Sequence, residues 1–203
     1  MDSRRAEAFS DGVFAVAITV LVFGLLGIGA RVLTAGVLLH NWPHYVAYVV
    51  SFLTIGIMWM NHHTIMAHVS RVDRPLLVLN LLLLMGVVAI PFPTQLVAEH
   101  LRGNGGTAAT VTYGLVMIAI SAGFAAMWVY VVTHAPALGG SVPQGALRRS
   151  ALGWTLGGAV YVAGTLIAAF WSAIAGLVIF GLLGVFYLFE HLPDPTGEPG
   201  TAR

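Results

Sequence analysis

The sequence contains no cysteine and no lysine. Without cysteine there is no disulfide, no thiolate metal site and no cysteine nucleophile. Charge is scarce as well. Asp, Glu, Lys and Arg make up 8% of the 203 residues, and the formal net charge is +1. A soluble globular domain carries about 25% charged residues. A soluble enzyme, a disordered chain and a nucleic-acid-binding protein are all excluded, the last because a polyanion partner requires a basic surface. What is abundant is apolar: 58% of residues are hydrophobic, and the mean hydropathy is +0.89. The chain is therefore read as an integral membrane protein, with lipid as its solvent.

A membrane helix takes about 20 mostly apolar residues. Windows of that length predict an all-α protein with six spans, beginning with 12–30, 43–66, 76–97 and 108–132. The stretch 151–189 is about two spans long and folds as a hairpin, with its turn near Trp171-Ser172-Ala173. Residues 1–190 form one transmembrane domain. The tail 191–203, rich in proline and glycine, reads as disordered. The first run exceeds a secretory signal core of about 7–15 residues and is taken as a true span. Pro91 and Pro93 predict a kink or early end in the third span.

Orientation comes from the arginines. With six spans, Arg4, Arg5, Arg71, Arg74, Arg148, Arg149 and Arg203 share one side, and only Arg31 and Arg102 lie on the other. This bias places both termini in the cytoplasm. Trp42, Tyr45 and Tyr48 then start the second span at the outer interface.

Polar groups at membrane depth are costly and usually functional. Ser10 and Asp11 open the first span and fit two readings. One is a helix N-cap. The other is a pairing of Asp11 with a cation or a buried donor on a neighbouring helix. His62 and His63 lie near the cytoplasmic end of the second span, and Asn80 lies about 8 Å into the third. Asp11, His62, His63 and Asn80 therefore share a depth and predict an interhelical polar layer. Adjacent histidines point about 100° apart and grip one ion poorly, so no metal or haem site is expected there. No catalytic set is present, and no enzyme activity is expected.

The run Arg5-x-x-x-Phe9-Ser10-Asp11 leading into Phe14-Ala15-Val16-Ala17-Ile18-Thr19 resembles the signature of the transmembrane protein 175 potassium channels. Trp42-Pro43, Asn61-His62-His63, Leu79-Asn80-Leu81 and Pro91-Phe92-Pro93-Thr94 support it over about residues 5–95. The resemblance implies a homotetramer in a bacterial plasma membrane, with the first helix of each subunit around a central pore. It implies passive conduction of K⁺, and of other monovalent cations less well, with no cofactor. It places a hydrophobic constriction at Val16, with Thr19, Val20 and Phe23 on the pore face. It implies that Arg5, Phe9, Ser10 and Asp11 hold the helix, the polar ones by hydrogen bonds to His62 or His63 and Asn80. Val16 stands where isoleucine or leucine is usual, and Gly24 stands where a bulkier or acidic residue is expected. A secondary cation transporter, or a haem- or metal-dependent membrane enzyme, are the competing functions.

Overall fold

The computed structural model describes residues 2–26, 28, 34–140 and 146–189. The helices are α1 (Ser3–Val20), α2 (Ala35–His40), α3 (Trp42–Met66), α4 (Arg74–Ala89), α5 (Pro91–His100), α6 (Gly106–His134), α7 (Ala146–Phe170) and α8 (Ala173–Phe189). A 3-10 segment, Leu21–Leu25, extends α1. Four stretches are long and apolar enough to cross a bilayer: Ser3–Leu25, Trp42–Met66, Arg74–His100 and Gly106–His134. Gly157–Phe170 and Ala173–Tyr187 are shorter apolar helices. The turn between α7 and α8 falls at Trp171 and Ser172. Arg31, Gly27, Gly29 and the tail 191–203 lie outside the described residues, as do the side chains of Arg148 and Arg149.

The first helix corrects an expectation. It begins at Ser3, not near Gly12, and its N-cap is Asp2, whose carboxylate accepts from the Arg4 N–H at 3.0 Å. Ser10 and Asp11 therefore sit in mid-helix and cap nothing. The apolar window marks only the uncharged part of the helix, which also runs through Arg4, Arg5 and Glu7. The third span is two helices. Pro91 and Pro93 offer no N–H, and the chain breaks at Ile90 and restarts as α5. Thr94 then satisfies the Ile90 carbonyl twice, through its N–H at 3.1 Å and its Oγ1 at 2.8 Å.

Lipid tails are as apolar as leucine, so helix association here depends on close packing and on polar pairs rather than on escape from water. α1 meets this condition with a face of Ala6, Ser10, Phe14, Ala17 and Leu21, all buried, set against α3 and α4. The small side chains bring the backbones close, and Phe14 fills the gap between them. Beyond α4, α6 packs on α7 and α7 on α8, completing the bundle.

The base of α1 is tied down. Ser3 N–H donates to the Ser70 carbonyl at 3.2 Å, and Asp2 pairs with Arg71 as a short antiparallel bridge. The turn after α6 closes on the same loop: Ser70 and Arg71 N–H both donate to the Leu138 carbonyl. Gly139 takes φ 65°, a conformation that glycine adopts without strain. A Cβ on Gly140 would overlap the His68 carbonyl oxygen. Asp73 caps α4 through the Leu76 N–H and accepts from the Tyr130 hydroxyl. Burial pushes the Asp73 carboxyl up, but those hydrogen bonds outweigh it and hold the group below its ordinary value.

Candidate functional site

Opposite its packed face, α1 carries a second stripe at helical spacing: Phe9, Gly12, Val16, Thr19 and Phe23. All are exposed, Val16 at 58% and Phe23 at 64%, while Phe14 and Ala17 next to them are at 1%. Arg5 begins the same stripe, and its side chain makes no hydrogen bond or ion pair among the described residues. Val20 lies to one side of it. That residue is half-buried and lines a cavity of about 260 Å³ between the end of the first helix and α3 and α5.

Thr19 is the polar member of the stripe. Its hydroxyl donates to the Val16 carbonyl of its own helix at 2.8 Å. The proton is thus turned inward, and the oxygen lone pairs are left facing away from the protein. A hydroxyl oriented in this way can accept a hydrogen bond or contact a cation, but it does not donate outward.

The packed face is anchored by a polar chain across three helices. His62 on α3 donates from Nε2 to Asn80 Oδ1 on α4 at 2.8 Å. Asn80 Nδ2 donates to Ser10 Oγ on α1 at 3.0 Å. Ser10 Oγ donates to the Ala6 carbonyl at 2.9 Å. All three side chains are buried, His62 completely. Because Asn80 Oδ1 can only accept, His62 carries its proton on Nε2, and its buried Nδ1 has no partner. The His62 ring also lies against Phe14, with centroids 5.4 Å apart.

The remaining polar residues of the layer pair differently from the expectation. Asp11 does not reach His62, His63 or Asn80. It accepts from Trp59 Nε1–H at 2.8 Å. His63 donates from Nδ1 to Glu7 Oε1 at 2.6 Å, an ion pair whenever the imidazole is protonated. Glu7 and Asp11 are one turn apart on α1, and Trp59 and His63 are one turn apart on α3. They form two rungs between antiparallel helices. Trp59 and Glu7 were missed in the sequence, although their four-residue offsets from His63 and Asp11 carry the signal. Phe9 lies on the exposed stripe at 56% and contributes nothing to the polar chain. Among the described residues, no group of three or more His, Asp or Glu side chains is placed to hold a metal ion.

A Cβ on Gly24 would meet Gln95 Oε1, the free end of a flexible side chain that can swing aside.

Comparison with known proteins agrees with this architecture. The family described as endosomal/lysosomal potassium channel TMEM175 matches residues 5–91. A Streptomyces collinus protein named as a potassium channel is 44% identical over 202 residues, covering 97% of each chain. A potassium channel of Chamaesiphon minutus is 41% identical over 136 residues, 65% of this chain and 67% of that one. The crystal structure of a lysosomal potassium-selective channel TMEM175 homologue from Chamaesiphon minutus superposes with a TM-score of 0.81 at 32% identity. It covers 92% of this chain and 96% of that one.

Proposed function

The chain belongs to the TMEM175 family of channels and is not an enzyme; on that premise we propose that it is a potassium-selective channel. In this reading four copies surround one axis, and each has six spans, with α7 and α8 as the last two. The α1 stripe faces the axis, with Val16 as its constriction. Both termini lie in the cytoplasm of a bacterial cell, a placement the arginine bias supports.

The observation that carries this reading is the two-faced first helix. One face is built to be held, with small residues and a buried polar chain. The other leaves Val16, Thr19 and Phe23 exposed. Lipid contact alone does not call for an outward hydroxyl oxygen beside a valine, whereas a narrow cation path does.

The mechanism follows from the side chains. Four Val16 side chains around an axis make an apolar neck. A closed neck is dry and stops ions, and a slightly wider one passes an ion that has shed part of its water. Potassium releases water more readily than sodium, so the neck favours it. Thr19 lies one turn away, with its proton donated to the Val16 carbonyl. Its oxygen replaces part of the lost hydration without presenting a positive hydrogen to the ion. The polar chain through Ser10, Asn80 and His62 fixes the rotation of α1 about its own axis and so keeps Val16 on the path.

The test is potassium uptake into liposomes containing the purified protein, with sodium as comparison. Rapid, non-saturating flux favouring potassium supports the reading. Slow, saturating flux identifies a transporter. A monomer in a subunit count with no flux refutes both the pore and its assembly.

A further inference from the structure

Two helix discontinuities face one another across the cavity beside the outer end of the first helix. On one side α1 gives way to the 3-10 segment after Val20. On the other, α5 restarts after the break at Ile90. The cavity between them, about 260 Å³, is bounded by Val20, Leu21 and Gly24 of the first helix, Tyr48 of α3, and Gln95 and Ala98 of α5. We propose that it is a binding site for a small neutral amphiphile, such as an aryl alcohol, that donates one hydrogen bond to Gln95 Oε1.

Size sets the first limit. An apolar protein cavity of about 150 Å³ holds benzene. This one therefore has room for a single ring with a short polar arm, and it is below the about 300–1,000 Å³ of sites for drug-sized ligands. Chemistry sets the second. No Asp, Glu, Lys or Arg lines the cavity among the described residues; its lining also includes Thr94 and His44, whose buried Nδ1 has no partner. Gln95 Nε2 is committed to Glu99 Oε1 at 2.6 Å. Its Oε1 has no donor among the described residues and lies where a Cβ on Gly24 would be. An acceptor in a mostly apolar hollow calls for a ligand with one O–H or N–H and an apolar body.

This inference goes beyond conduction, and its test does not depend on ion flux. The cysteine-free chain makes the test direct. Ala98→Cys places one thiol in the cavity, and Leu25→Cys does so from the first helix if the former fails to fold. Leu82→Cys, on a lipid-exposed position, is the control. Labelling of the full chain in lipid nanodiscs with benzyl methanethiosulfonate is timed with and without benzyl alcohol. The expected result is labelling in the cavity that benzyl alcohol slows at least about tenfold and saturably, with no protection at Leu82→Cys. Adding Gln95→Leu should raise the half-protecting concentration about tenfold, the loss of one hydrogen bond. Absence of labelling overturns the site, because a lipid chain or a neighbouring copy then fills it. Equal protection at the control position also overturns it. Unchanged protection with Gln95→Leu overturns the assigned ligand class.

Discussion

Replacing Asn80 with leucine removes the residue that links α3, α4 and α1, while keeping a side chain of similar size. The loss can be worked out from the partners. Ser10 Oγ keeps its bond to the Ala6 carbonyl and is hardly affected. His62 loses its partner on Nε2, and its Nδ1 is already unpaired, so the whole imidazole is left buried without a hydrogen bond. An orphaned buried polar group costs about 1–3 kcal/mol. Membrane proteins fall toward the lower part of that range, because the unfolded chain in lipid also finds partners. Measured couplings average about 0.6 kcal/mol and reach about 1.7. Asn80→Leu should therefore destabilise the protein by about 1–2 kcal/mol. A double-mutant cycle with His62→Leu should show a coupling of about 0.6–1.7 kcal/mol, because the second substitution removes the orphan that the first creates. The assay is reversible SDS titration of the purified protein in mixed micelles. A single-mutant cost under about 0.5 kcal/mol, or additive effects of the two substitutions, would refute the anchoring role of this chain.

Other outcomes follow from the same structure. Val16→Ile adds one methylene at the exposed stripe and should sharpen potassium over sodium selectivity in reversal-potential measurements. Equal permeability ratios in the two forms would remove Val16 from the constriction. Gly140→Ala sets a Cβ against the His68 carbonyl oxygen, a backbone atom that has no free end to swing away. It should cost about 1–3 kcal/mol in the same SDS titration, and a neutral result would show that the turn after α6 does not pack on the α3–α4 loop. The Asp73 carboxyl lies below its unfolded value, so its stabilisation is complete above the unfolded carboxylate pKa, about 3.9, and is lost as pH falls through the folded value. Stability measured from pH 6 down to pH 3 should fall less steeply in Asp73→Asn than in the parent, and parallel acid limbs would assign the capping charge no role.

The bilayer made part of this protein legible without coordinates. Hydrocarbon excludes unpaired backbone groups, so apolar runs of about 20 residues must be helices. The spans through Trp42–Met66 and Gly106–His134 were placed within two residues at each end. Depth is set by distance along a helix, so the grouping of His62 and Asn80 in one layer was also readable. Rotation about the helix axis was not. Whether His62 or its neighbour meets Asn80 depends on a turn of about 100° per residue, and only packing against α1 and α4 decided for His62. The same rotation sent Asp11 to Trp59 and His63 to Glu7. Hydropathy marks where lipid begins and not where hydrogen bonding begins, so the start of α1 at Ser3 needed Asp2 and the Ser70 carbonyl in place. Sequence by itself determined which segments are helices and which polar groups share a depth, because both follow from the solvent. The tertiary structure alone decided which faces meet, because that depends on the shapes of side chains brought together from distant parts of the chain.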